Sequence, residues 1–385
     1  MNYLETTEWL FSKLPFYQNI GKSAYKSDLS QTLKLAKHLD YPESKFKSIH
    51  IGGTNGKGST AHMLASILQE SGYKVGLYTS PHLKDFRERI RINGLMINKK
   101  FVVDFVAENK SFFEDNTFSF FEMSVGMAFD YFAQEQVDIA VVEVGLGGRL
   151  DSTNIINPEV SVITNIGLDH TQFLGTTLES IAVEKAGIIK SNTPIVIGET
   201  QSEIESVFRD KASEEQAPIY FADQLIKEIY PSVLKGEYQI KNVRTVIQTI
   251  AIINKGEFIV SEESIRLGLM KVSESTGLRG RWDVLGYYPK IICDTAHNLE
   301  GLRLVFKQLK DEKFHQLHLV IGIVDDKDLN SLLGLFPTDA QYYFCKPNIH
   351  RGLDALRLAE SFNEKGINGT VHSSVNSALN SAKEI

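Results

Sequence analysis

The sequence predicts an α/β protein of two unequal domains, the larger one built on a mostly parallel sheet. Three observations carry that expectation. Short apolar, β-branched runs alternate with segments of helical period. A glycine-rich turn at residues 52–60 joins one such run to a helix-like stretch. The alternation then restarts near Gly277, and the 385-residue length is more than one core usually fills.

Taken in order, the first fifty residues read as largely helical. Leu29, Leu33, Ala36 and Leu39 recur at helical spacing, and Ser27 or Asp28 stands where an N-cap belongs. Residues 46–51 are a strand. After the glycine-rich turn, residues 60–70 form an amphipathic helix with Met63, Leu64, Ile67 and Leu68 on one face and Gly72 as its stop. Strands follow at 73–79, 137–144, 160–164 and 194–198, with helices at 123–134 and 178–189 between them. Continuous apolar strands interleaved with helices indicate a parallel sheet covered on both faces. Beyond the glycine-containing hinge at 277–281, strands are expected at 290–293, 317–323 and 342–345, and a helix at 299–309. The domains are therefore drawn as 1–276 and 277–385.

Composition narrows the function classes. Hydrophobic residues make up 42% and charged residues 23%, as in soluble globular proteins. A formal charge of −7 argues against general affinity for nucleic acid or anionic membranes, though not against a local cationic pocket. With only Cys293 and Cys345 there is no disulfide framework, which fits a reducing compartment. The opening MNYLETTEWL lacks the layout of a signal peptide, and no apolar stretch is long enough for a membrane span. The expectation is a cytoplasmic protein.

The strongest chemical signal is Gly52-Gly53-Thr54-Asn55-Gly56-Lys57-Gly58-Ser59-Thr60, between a strand and a helix. Glycines let several backbone N–H groups converge on phosphate oxygens, and the following helix offers its positive end to the same charge. Lys57 can neutralise terminal phosphates, and the Ser59 or Thr60 hydroxyl can reach magnesium. The match to the general phosphate-loop pattern is a variant, with Ile51 at the first glycine and Gly58 directly after the lysine. A plain glycine-rich turn with an exposed lysine is the competing reading.

Other candidates sit at predicted sheet ends. Glu143 ends a buried strand, where open α/β sheets bind ligands, and could hold magnesium or simply pair with Arg149. Asp169-His170 follows the strand at 160–164 in the same way. Lys185, inside a helix, reads as an ordinary solvated or ion-paired lysine. Asp294 and His297 end a strand of the second domain, and Arg279 and Arg281 in the hinge are either solvated or turned toward a phosphoryl group.

Together these pieces resemble the folylpolyglutamate synthase/dihydrofolate synthase family of the Mur ligase superfamily. GTNGKGST at 53–60, TSPHL at 79–83, EVGLGGRLDSTN at 143–154, LDHTQFLG at 168–175, EKAGI at 184–188, GRW at 280–282 and DTAHN at 294–298 look like its motifs, in the family's order. The resemblance covers nearly the whole chain, and the superfamily's GTNGK followed by Gly or Thr accounts for Gly58.

The resemblance implies a phosphate-loop nucleotide-binding domain, a smaller Rossmann-like C-terminal domain and an active site in the cleft between them. It implies that Thr54, Asn55, Gly56, Lys57, Gly58, Ser59 and Thr60 hold ATP, with Asn242 near adenine and Arg281 and Asp294 contacting ATP from the other side. Ser59, Ser80 and Glu143 would serve a first magnesium; His170 and a carbamylated Lys185 would serve a second. Ser119, Phe120, Phe121 and Glu122, with Leu150, Asp151 and Ser152, match segments that hold a pterin, and His297 matches a residue near the incoming glutamate. The family's last strand, with its Gly-Ser segment, is expected after the point where this sequence ends.

The implied reaction is ATP-dependent amide formation. A carboxylate of dihydropteroate or a reduced folate takes the γ-phosphate of ATP, and L-glutamate displaces phosphate from the acyl phosphate. Lys57, Glu143, His170, Lys185 and Arg281 would carry the catalysis, in a monomer that binds neither nucleic acid nor membrane. Three alternatives stand beside it: a synthase that acts on folates only, a cell-wall peptide ligase of the same superfamily, and a nucleotide-driven switch without ligase chemistry.

Overall fold

The computed structural model describes residues 1–13, 28–325, 329–349 and 351–384. Ser27, one of the two expected caps, lies outside them. Asp28 does act near the start of the helix Ser30–His38, accepting the Ser30 N–H at 2.9 Å. The chain divides into two compact units, Met1–Arg281 and Trp282–Ile385.

The larger unit holds an eight-stranded sheet. Its strands are β1 (Lys47–Gly52), β2 (Val75–Tyr78), β3 (Ile90–Ile92), β4 (Leu95–Met96), β5 (Ile139–Glu143), β6 (Val160–Ile163), β7 (Ile195–Ile197) and β8 (Ile219–Phe221), in the order β4-β3-β2-β5-β1-β6-β7-β8. From β2 to β8 all pairings are parallel, while β3 and β4 close one edge antiparallel. β5 and β6 are buried at every residue, as a sheet covered on both faces requires. Each buried Ile or Val there contributes about 1.5–3 kcal/mol by leaving water.

Chain order reverses around β1: β5 pairs on one side of it and β6 on the other. In such sheets the carboxyl ends of the strands at the reversal leave a crevice. Register places Ile51 beside Glu143 and Gly52 beside Ile163. The segments after β1, β5 and β6 therefore meet at one point.

The helix Lys57–Glu70 differs from the amphipathic expectation. It begins at Lys57, and every residue from 59 to 68 is buried. The cause is packing on several sides: the sheet, the helix Glu237–Ile253 and the helix Glu262–Thr276 all meet it. The last approach is so close that a Cβ on Gly268 would lie 2.5 Å from Ile67 Cα.

The opposite face of the sheet is covered by Tyr3–Ser12, Ser30–His38, Lys99–Asn116 and Phe120–Gln134, whose aromatic residues form a second core. A third core lies under β6 and β7.

In the smaller unit, β11 (His318–Ile321), β12 (Gln341–Cys345) and β13 (Gly369–His372) form a parallel sheet. The expected strand at 290–293 is present but belongs elsewhere: β10 (Lys290–Cys293) pairs antiparallel with β9 (Asp283–Tyr287) in a separate hairpin. Among the described residues no helix is long and apolar enough to cross a membrane.

Candidate functional site

The loop after β1 is shaped by two glycines. Gly53 has φ +132° and Gly56 φ +87°, backbone that side chains rarely adopt, and neither has room for one. A Cβ on Gly53 would lie 1.9 Å from Thr164 Oγ1, and one on Gly56 would lie 2.2 Å from Asn242 Oδ1.

The segment after β6 fastens the loop. Thr54 N–H donates to Asn165 O at 2.8 Å and Asn55 N–H to Asn165 Oδ1 at 2.9 Å. Thr164 Oγ1 donates to Asn55 O at 2.6 Å, and Gly167 N–H to Thr54 Oγ1 at 2.9 Å. On the other side Gln239 Nε2 donates to Ser59 Oγ at 3.2 Å, while Asn242 Nδ2 donates to Gln239 Oε1 at 2.9 Å.

What remains is an anion cradle. No side chain caps the helix at Gly56, so its first-turn N–H groups are not taken up by a capping residue. Lys57 Nζ folds over it, donating to Gly53 O at 2.9 Å and Thr54 O at 3.0 Å. Thr60 Oγ1 is buried without a partner, the mark of a polar group awaiting one.

Glu143 and Arg281 converge on Gly58. A Cβ there would lie 3.5 Å from an Arg281 guanidinium nitrogen and 3.7 Å from a Glu143 carboxylate oxygen. Arg149, the other partner considered for Glu143, instead pairs with Glu184 at 2.7 Å. Glu143 accepts the Ser80 N–H at 3.0 Å. Burial raises its pKa, opposed chiefly by the Lys57 charge. Burial likewise lowers the pKa of Lys57, with Glu143 and Asp169 pulling the other way.

Lys185 departs from the solvated lysine its helix position suggests. It is buried, and its Nζ donates to Gly53 O at 2.9 Å. Burial, then the nearby Lys57 charge, brings its pKa down to about 7. His170 is half exposed at φ +50° and receives no such enclosure. Among the described residues no trio of His, Cys, Asp or Glu side chains is gathered to hold a metal unaided. A cation beside Glu143 would draw on hydroxyl, phosphate or water oxygens as well, which suits magnesium. The carboxylate, the orphaned Thr60 hydroxyl and the cradle fit a magnesium nucleotide.

Several expected substrate residues are engaged by the chain itself. Ser119 and Glu122 form a reciprocal cap on the helix Phe120–Gln134. Phe120 is buried between Phe11 and Phe86 with the Arg89 guanidinium over its ring. These three therefore hold the start of the helix and its core. Asp151 is buried and accepts the N–H groups of Gly145, Leu146 and Thr153, so it shapes the 145–153 turn. Ser152 is buried in that turn and Leu150 half-buried. Phe121 stays half-buried, its ring so close to Gly145 that a Cβ there would lie 2.3 Å from Cζ.

In the smaller unit Asp294 accepts the N–H groups of Trp282 at 2.7 Å and Ala296 at 2.8 Å, and His297 is exposed. Sequence reasoning missed Thr164, Asn165 and Gln239 as loop supports. Their signals were present: two follow a buried strand's carboxyl end, and the third lies one helical turn before Asn242.

The Mur ligase middle domain model matches residues 51–260, and the Mur ligase glutamate ligase domain model matches 280–385. The Bacillus subtilis dihydrofolate synthase/folylpolyglutamate synthase is 34% identical over 369 residues, covering 88% of this chain and 83% of that protein. A probable bifunctional folylpolyglutamate synthase/dihydropteroate synthase of Haloferax volcanii is 33% identical over 94% of this chain, which spans 45% of that longer relative. The Escherichia coli FolC structure with DHPP and ADP superposes with a TM-score of 0.85 at 30% identity, covering 98% of this chain and 91% of that one. A Yersinia pestis bifunctional folylpolyglutamate synthase/dihydrofolate synthase with AMPPNP and a Mn ion gives 0.83 at 30% identity, covering 98% and 92%. This chain belongs to the Mur ligases, and among them to the dihydrofolate synthase/folylpolyglutamate synthase family.

Proposed function

We propose that this protein joins L-glutamate to dihydropteroate, to reduced folates, or to both, with ATP converted to ADP and phosphate. The observation that carries the reading is the cradle at Gly53–Thr60, with Lys57 folded over it and Glu143 and Arg281 meeting at Gly58. The first-turn N–H groups and Lys57 hold the phosphates, and Asn242 flanks the nucleotide. Arg281 faces the charge that spreads over the transferring phosphoryl group. The substrate carboxylate oxygen bonds to the γ-phosphorus as the bond to ADP breaks. The neutral glutamate amine then attacks the acyl carbon, phosphate leaves with the C–O electron pair, and the nitrogen releases its extra proton to the departing phosphate or to water.

Glu143, with the hydroxyls of Ser59 and Ser80, would hold one magnesium, and His170 with Lys185 a second. Magnesium, when bound, adds positive charge to the phosphate oxygens. A lysine with a pKa near 7 is largely uncharged in weakly alkaline solution, the state in which an amine adds carbon dioxide. Carbamylation of Lys185 would replace a repelled ammonium with an oxygen ligand. His297 and Phe121 are the proposed contacts for glutamate and pterin. Two free cysteines fit a reducing compartment such as the cytoplasm, and the family resemblance suggests a monomer.

The test is phosphate release from ATP with dihydropteroate and with tetrahydrofolate in parallel, each with and without glutamate. Turnover that needs both the pterin substrate and glutamate supports the ligase. Turnover without them would make the protein an ATPase or switch, and inactivity on dihydropteroate alone would leave a folylpolyglutamate synthase. Lys57→Ala should abolish turnover while leaving the circular dichroism spectrum unchanged.

A further inference from the structure

His62 belongs to no motif above, yet it is a buried imidazole one helical turn beyond Gly58. Its Nδ1 lies 2.7 Å from Thr276 Oγ1, 214 residues away in sequence. The Thr276 hydroxyl has a single proton, which it donates to Val272 O at 2.5 Å. Thr276 therefore accepts, and His62 Nδ1 carries the hydrogen. Burial, with the Arg91 and Arg281 charges, pushes the imidazole pKa down to about 3, so the ring is neutral.

Thr276 ends the helix Glu262–Thr276. Gly277 caps it at φ +70°, and Arg281 follows four residues later, returning to Gly58. One closed circuit results: Gly58 to His62 along one helix, the hydrogen bond to Thr276, then five residues of chain back to the Arg281 guanidinium. Ser66, one turn further along, bonds to Gly268 O and Ser275 Oγ, each at 2.7 Å, so the two helices are zipped toward their ends. His62–Thr276 is the closure nearest to the phosphate cradle.

We propose that His62 is a positioning residue for Arg281. Resting on the ligase reading above, it fixes where the 277–281 segment leaves its helix and so where the guanidinium meets the transferring phosphoryl group. It touches no substrate. Misplacing a group by about 1 Å costs as much as a hundredfold in rate, whereas ground-state binding by the loop amides need not change.

The test measures kcat, KM for ATP and Mg·ADP affinity in the full chain for His62→Leu, His62→Asn, Thr276→Val, Arg281→Ala and the His62→Leu/Arg281→Ala double variant. His62→Leu and Thr276→Val should each lower kcat roughly ten- to a hundredfold, with Mg·ADP affinity within about twofold of wild type. His62→Asn, whose Nδ2–H can replace the lost donor, should recover most of the rate. In the Arg281→Ala background His62→Leu should cost nothing more. Multiplicative losses in the double variant, or a folded His62→Leu enzyme at full kcat, would overturn the proposal. Full activity of Arg281→Ala would instead remove the phosphoryl role of Arg281, a failure of the reading beneath it. If His62→Leu does not fold, the nearly isosteric Thr276→Val decides by the same criteria.

Discussion

Glu143 is a carboxylate kept where water would be a better host, and that has a measurable sign. Burial raises its pKa, so the folded protein holds the proton more tightly than the unfolded chain does. Its contribution to stability is full below the ordinary carboxylate range and is lost as pH rises through the raised pKa. Glu143→Gln should therefore resist urea better than wild type at neutral pH in the absence of nucleotide, with the gap closing in acid. Magnesium-dependent ATP binding should fall in the same variant. A gap that widened on acidification would refute the assignment. The loop glycines separate by the same residue-level reasoning. Gly53→Ala and Gly56→Ala each combine positive φ with a backbone or side-chain clash and should lose both stability and nucleotide binding. Gly58 has ordinary backbone and room for a methyl group, so Gly58→Ala should gain about 0.4–1 kcal/mol in denaturant melts. At this scale the sequence was informative about Lys57 and Glu143, because strand ends and glycine turns are local patterns. The Ser-x-x-Glu spacing of Ser119 and Glu122 is a helix-cap signature equally legible there, and the structure uses it as one. The burial of Lys185 was beyond the sequence, since that depends on Gly53, 132 residues distant.

Among the elements, the helix Lys57–Glu70 bears the most constraint. Gly268 lets the helix Glu262–Thr276 approach it, and Ser66 bonds across the contact to the Gly268 carbonyl. Gly268→Ala would drive a Cβ into backbone, so we expect a loss of about 1–3 kcal/mol in chemical denaturation. Ser66→Ala should cost about 1 kcal/mol. A Gly268→Ala protein as stable as wild type would mean that the two helices can part freely. Legibility follows strand environment. β5 and β7 announce themselves by the buried apolar runs at residues 139–142 and 195–197, while β1 and β6 are buried but interrupted by Ser48, His50 and Ser161. β3, β4 and β8 are two or three residues long at or near sheet edges, too short for any period to register. The helix Lys57–Glu70 is legible as a helix, but Thr60, His62 and Ser66 read as a wet face. They are buried, and Ser59, His62 and Ser66 are hydrogen-bonded to partners on distant helices, which no local pattern reveals.

At the scale of the molecule, each unit closes its own core. Three buried clusters draw only on residues before Arg281 and two only on residues after Trp282. The phosphate cradle, with Glu143, Lys185 and Arg281, lies wholly within the first unit, while Asp294 and His297 lie in the second. A chain with separate cores need not unfold in one step. Calorimetry should resolve two transitions, and Mg·ADP should move only the one that belongs to residues 1–281. At a hundredfold excess over its dissociation constant the nucleotide adds about 2.7 kcal/mol, which for a unit of that size raises its midpoint by roughly 5 °C. The second unit contributes none of the cradle residues named above, so its transition should stay in place at the same nucleotide concentration. A single transition that shifts as a whole would show that the units unfold as one despite their separate cores. Two transitions that both shift would mean that the second unit supplies binding energy for the nucleotide, and Asp294→Ala should then abolish the shift of the second transition.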